Sequence, residues 1–116
     1  MVDLLVSTAD GTLNEQTISI DDRYAATVML VSGGYPESYE KGKIITGLDN
    51  VNNCILFHAG TSTDVENHST KTSGGRVLGV TALDTTLKSA LNSAYKNVDI
   101  IQFEGKNFRS DIGFDL

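Results

Sequence analysis

The sequence predicts an α+β domain: a mostly antiparallel β-sheet closing into a partial, barrel-sandwich-like barrel, with one main amphipathic helix at about residues 84–98. Three observations predict it. Short apolar stretches recur between polar or Gly-rich gaps of hairpin length. The period then switches once, with Leu87, Ala90, Leu91, Ala94, Tyr95 and Val98 at helical spacing on one face. Too few such stretches lie between the strands to serve as the crossovers that a parallel sheet needs.

The elements follow in chain order. Val2 to Val6 is apolar, has nothing local to pack against, and precedes Ala9-Asp10-Gly11-Thr12, a turn or helix stop. Gln16 to Ile20 alternates apolar and polar, as a half-buried strand would. Tyr24 to Val31 is nearly continuous in apolar residues, the pattern of a strand buried on both faces. It ends in Ser32-Gly33-Gly34-Tyr35-Pro36, where two glycines and the only proline require a loop. Lys43 to Gly47 and Cys54 to His58 read as short strands, and Gly60 to Ser73 as a polar hairpin connection at the surface. Arg76 to Thr81 is a further strand, and Asp84 or Thr85 is placed to cap the helix. Ile100 to Phe103 is strand-like, Glu104-Gly105-Lys106 a turn, and Phe108 to Phe114 the last ordered piece.

Composition narrows the function. A chain of 116 residues with 40% hydrophobic residues supports a single core. A net charge of -6, with nine scattered basic residues, argues against nucleic acid and against an anionic membrane surface. No apolar run approaches the roughly 20 residues of a bilayer span, and there is no charged-then-apolar signal peptide. Cys54 is the only cysteine, which fits a reducing, cytoplasmic compartment; in its apolar run it reads as a small hydrophobe rather than a nucleophile. With His58 and His68 it does not make the usual zinc ligand set.

Two glycine-centred phrases, His58-Ala59-Gly60-Thr61 and Gly74-Gly75-Arg76-Val77-Leu78, set a chemically versatile side chain beside residues that let backbone approach another group. His58 is placed to act as a general base, or as a histidine hydrogen-bonded at the edge of the core. Arg76 offers a planar fork of donors to a phosphate or carboxylate, or to an internal partner such as Asp111 or Glu104. Gly33 and Gly34 admit a ligand, or simply a turn. His68, in the polar loop, reads as solvated. Phosphate-cradling, dinucleotide-binding and nucleophile-elbow motifs do not occur.

The wording of several phrases goes further. Ser32-Gly33-Gly34-Tyr35-Pro36, Ser38-Tyr39-Glu40-Lys41-Gly42, Ile45-Thr46-Gly47-Leu48, Phe57-His58-Ala59-Gly60-Thr61, Gly74-Gly75-Arg76-Val77-Leu78, Ile101-Gln102-Phe103-Glu104-Gly105 and Arg109-Ser110-Asp111-Ile112-Gly113 occur in this order. Together they resemble the C-terminal domain of the phosphoribosylamine–glycine ligase family over nearly the whole chain. Residues 62–73 and the ending Phe114-Asp115-Leu116 depart from the family wording. The resemblance implies an ATP-grasp ligase of purine biosynthesis, joining glycine to 5-phosphoribosylamine with hydrolysis of ATP to ADP and phosphate, and requiring Mg2+. It also implies that residues 1–12 are the tail of a preceding ATP-grasp region and 13–116 the C-terminal domain. ATP and Mg2+ would then be held upstream, by the N-terminal and ATP-grasp domains. This domain alone would be catalytically silent, with neither a catalytic nor a metal-binding residue. As a wall of the cleft it would offer Gly74, Gly75 and Arg76 to substrate, with His58, Gly33 and Gly34 as further candidates.

Two other classes compete. A carrier module would need a cofactor-bearing hairpin lysine, for which Lys43 and Lys71 are the candidates. A docking module would use the apolar N-terminal segment.

Overall fold

The computed structural model describes residues 1–114, so Asp115 and Leu116 of the divergent ending lie outside the described residues. A first helix, α1 (Val2–Asp10), is stopped by Gly11 in the left-handed conformation, φ 72°. It is followed by strands β1 (Tyr24–Val31), β2 (Ile44–Ile45), β3 (Ile55–His58), β4 (Thr61–Asp64), β5 (Ser69–Thr72) and β6 (Arg76–Asp84), and by helix α2 (Leu87–Ile100).

The strands form two antiparallel three-stranded sheets, ordered β1-β6-β3 and β2-β5-β4. The class is therefore α+β as expected, but no closed barrel forms. The apolar face of α2 covers one side of the β1-β6-β3 sheet, placing Ala94 and Val98 in one cluster with Val28, Leu30, Leu78 and Val80. Each fully buried Leu or Val there contributes about 1.5–3 kcal/mol.

Five expectations are corrected. Gln16 to Ile20 forms no strand: it finds no pairing partner, and Ile18 and Ile20 are exposed. β1 is buried on one face only, because it is an edge strand covered by α2 from one side; Ala26, Val28 and Leu30 point inward, while Ala25 and Thr27 are exposed. The α2 cap is Thr86, one residue beyond the predicted pair, whose Oγ1 accepts from Ser89 N at 3.1 Å. The Ile100 to Phe103 segment is no strand either, since α2 runs through Ile100. Only Gln102 pairs, exchanging two backbone hydrogen bonds with Thr46. The polar stretch 60–73 is itself sheet, the β4-β5 hairpin.

Two polar staples fix α2. Asn97, 4% exposed, accepts from Asn52 N at 2.8 Å and donates from Nδ2 to Asn52 O and Ser93 O at 2.9 Å. Lys106 donates from Nζ to the carbonyls of Val98 (3.0 Å) and Ile101 (2.8 Å), where the helix leaves acceptors unfilled. Among the described residues no helix is long and apolar enough to cross a membrane.

Candidate functional site

The register between β1 and β6 slips at one point. Leu30 faces Leu78, yet the next residue, Val31, faces Arg76, so Val77 is the extra residue of a β-bulge in β6. The slip takes Arg76 off the inward face of Leu78 and sets it with Met29 and Val31 at the mouth of the sheet. Val77 remains fully buried, and its carbonyl accepts from both Ala59 N (3.0 Å) and Gly60 N (3.1 Å). The bulge thus aims the arginine and anchors the His58–Thr61 turn.

The Ser32–Pro36 loop is locked onto the same place. Ser32 N donates to Gly75 O at 2.8 Å, and Ser32 Oγ to Gly74 O at 3.0 Å. Gly75 lies so close to the Tyr35 ring that a Cβ there would overlap it. Gly34, at φ 92°, takes a conformation that disfavours other residues. Behind the loop, Lys43 Nζ is gripped by Glu40 (2.6 Å) and Glu104 (2.8 Å), which tie the loop region to the Gly105 turn. Those carboxylates raise the Lys43 pKa.

A second wall comes from the C-terminal segment. Asn107 and Val31 exchange two backbone hydrogen bonds, at 2.8 and 3.0 Å. Tyr95 Oη on α2 donates to Arg109 O (2.9 Å) and accepts from Ile112 N (3.0 Å), holding 109–112 in place. Between the walls runs an open cleft of about 500 Å³, lined by Tyr35, Pro36, Arg76, Asn107, Phe108 and Arg109 among others. Arg109 is paired with Asp111 at 2.9 Å and holds that carboxyl below its ordinary pKa. Among the described residues the Arg76 guanidinium makes no hydrogen bond or ion pair.

Gly33, Gly34, Gly74, Gly75 and Arg76 therefore converge, although some forty residues separate the two phrases. The internal partners expected for Arg76 are taken: Asp111 by Arg109, and Glu104 by Lys43. His58 stands apart. It is exposed at the end of β3, with Nδ1 2.8 Å from Thr61 Oγ1, and is not among the cleft-lining residues. His68 is exposed in the β4-β5 turn. Cys54 is half-buried, and burial raises its thiol pKa, which suits a packing residue rather than a nucleophile. The second wall, Asn107 to Arg109, was not singled out in the sequence; its signal was the Arg109-Ser110-Asp111-Ile112-Gly113 phrase, which carries the resemblance without revealing what it faces. Neither candidate carrier lysine is presented freely, since Lys43 is clamped as above and Lys71 is paired with Asp64 at 2.6 Å.

Comparison with known proteins meets this geometry. Residues 25–115 match the family model described as phosphoribosylglycinamide synthetase, C domain. The chain is 44% identical over 116 residues to the phosphoribosylamine–glycine ligase of Chlorobaculum tepidum, and 43% identical to that of Yersinia pestis. It covers 97–98% of itself but 27% of each of them. It is 37% identical to a bifunctional purine biosynthetic protein of Dictyostelium discoideum, of which it covers 14%. The crystal structure of the Thermotoga maritima phosphoribosylamine–glycine ligase superposes with a TM-score of 0.74 at 29% identity, over 92% of this chain and 27% of that one. The chain thus spans about a quarter of the length of the ligases it matches. A family model covering 91 of its residues, and a fold shared with a solved ligase, show that the chain belongs to the phosphoribosylglycinamide synthetase C-domain family.

Proposed function

We propose that this chain is the C-terminal lobe of a cytoplasmic ATP-grasp ligase that joins glycine to 5-phosphoribosylamine while ATP is hydrolysed to ADP and phosphate. In this reading Arg76 meets an anionic group of a substrate from one wall of the active-site cleft. One observation carries it: three phrases that bear the family resemblance, distant in sequence, build a single cleft around an arginine that has no internal partner among the described residues. An unpaired guanidinium held by a bulge and a locked loop is arranged to receive a carboxylate or phosphate by paired hydrogen bonds.

Among the described residues there is no group of three or more His, Cys, Asp or Glu side chains able to grasp a metal ion. No step through ATP or Mg2+ is assigned to them, and both are placed with the N-terminal and ATP-grasp domains of the ligase. The exposed apolar side chains of α1, with Val2 at 72% and Leu5 at 65%, support residues 1–12 as the tail of the ATP-grasp region. The domain by itself is then silent. Arg76→Ala in the full-length ligase is expected to lower kcat/KM by about tenfold or more, the worth of a lost charge-assisted hydrogen bond. Unchanged kinetics with a lowered melting temperature would leave Arg76 a purely structural residue.

A further inference from the structure

Resting on the reading just given, we infer that the open face of the β1-β6-β3 sheet is a docking surface for an uncharged, apolar face of the ligase's preceding part, with Phe57 as its anchor. Strand alternation divides the sheet. Val28, Leu30, Leu78 and Val80 turn inward under α2. Thr27, Met29, Gly79 and Thr81 turn the other way, and the register sets Ile55 opposite Thr81 and Phe57 opposite Gly79. An antiparallel sheet with one wet face commonly carries polar residues there. This face does not. Ile55 is 48% and Phe57 56% exposed. The hydroxyls of Thr27 and Thr81 satisfy each other at 2.8 Å, and no charged residue occupies any of these positions. Gly79 leaves a shallow hollow between Thr27, Met29 and Phe57, into which a partner side chain fits.

Two observations name the occupant. In the ligase reading most of the enzyme lies outside this chain, which covers 27% of the ligases it matches, and it joins the domain through surface left uncovered. The inner face of the sheet is already taken by α2, so the apolar outer face is the one available. The face is also continuous with the proposed site, because Met29 lines the Arg76 cleft as well. A body seated on Phe57 and Met29 therefore borders that cleft on the side that neither the Ser32–Pro36 loop nor residues 107–112 wall. A second copy fits less well: it would bring together two chains of net charge -6 across a face with no cation to offset the repulsion. An aromatic side chain inside an uncharged patch is the kind of residue on which interface energy concentrates.

The test is hydroxyl-radical footprinting read by mass spectrometry, on the 116-residue chain and on the full-length ligase, with exposed His68 as the internal reference. Phe57 and Met29 are expected to react about fivefold or more slowly in the ligase than in the chain alone, while His68 reacts alike in both. Phe57→Lys in the ligase should return Met29 towards its rate in the chain alone, because an ammonium group resists burial in an apolar seam. Phe57→Leu, which keeps the seam apolar, should leave Met29 slow; this variant and the wild-type comparison carry the test if Phe57→Lys fails to fold. Equal reactivity of Phe57 and Met29 in the two proteins would overturn the inference. So would a slow Met29 in a folded Phe57→Lys ligase, or protection that develops only at concentrations where the ligase self-associates, which would give the face to a second copy. None of these outcomes bears on the ligase reading, which stands or falls on the kinetics of the full-length Arg76→Ala enzyme.

Discussion

The backbone of Gly75 lies directly against the ring of Tyr35, with no room for a Cβ between them. One residue on, Arg76 leaves the sheet into the cleft that Tyr35 walls. Ser32 completes the lock by holding both Gly74 and Gly75 through their carbonyls. The position of the arginine is therefore set by the loop it faces as much as by its own strand.

Gly75→Ala forces the ring aside or shifts β6, and overpacking of this kind costs about 1–3 kcal/mol. The resulting fall in stability should be partly recovered in the Gly75→Ala, Tyr35→Ala double variant, because the two changes touch the same contact. Denaturant unfolding of the four proteins of this cycle measures the coupling. Strict additivity would show that the ring and the glycine are independent.

The clearest sequence signals were periodic. The α2 stripe was legible because one helical face stays in register for three turns and packs on a sheet. β1 and β6 were legible as apolar runs, but which face they buried was not. Whether the second face of Tyr24–Val31 is covered depends on what packs there, and α2 covers one side only. Gln16–Ile20 shows the same gap from the other side: alternation marks a strand only where a neighbour offers its hydrogen-bonding edge. For the site, the phrases marked glycines and arginines without their distances. The bulge at Val77 depends on pairing between strands over forty residues apart, so nothing local announces that Arg76 turns outward. His58 stood behind Arg76 as a further candidate in the sequence, and the strand end leaves it in solvent beside Thr61.

Asn97 presents its amide to Asn52 and Ser93 from a site closed to water. Asn97→Ala leaves the Asn52 amide and carbonyl without those partners, and is expected to cost about 1–3 kcal/mol. The denaturation midpoint should fall while the slope of the transition stays the same, since the surface exposed on unfolding barely changes. A midpoint equal to that of the wild type would mean that water replaces the amide at no cost.

Lys106 closes the carboxyl end of α2 with two hydrogen bonds to carbonyls, and burial lowers its pKa below the ordinary lysine value. Lys106→Met keeps most of the stem but loses both donors, and a loss of about 1–3 kcal/mol is expected. The effect should be localised: amide exchange in the last turn of α2 and at residues 101–103 should accelerate more than in β6. Uniform acceleration throughout the domain would contradict a capping role.

The β4-β5 hairpin carries its own acid sensitivity. Asp64 accepts from Lys71 Nζ (2.6 Å), Asn67 Nδ2 (2.9 Å) and Asn67 N (3.1 Å). Lys71 first, then Asn67, hold its carboxyl well below the ordinary 3.8. The folded hairpin thus binds this proton less readily than the unfolded chain does. The stabilisation is complete above the ordinary value and disappears as pH falls through the depressed one. Amide protection at residues 61–72 should therefore hold steady from about pH 7 to pH 5 and decline below about pH 4. Asp21 and Asp111 also have depressed pKa values, by Arg23 and Arg109, and contribute to any global acid transition. Hairpin amides report Asp64 locally, because neither of those groups lies in β4 or β5. In Asp64→Asn the protection should be lower at neutral pH, and its acid decline should flatten. An unaltered decline in that variant would assign the acid response to another group.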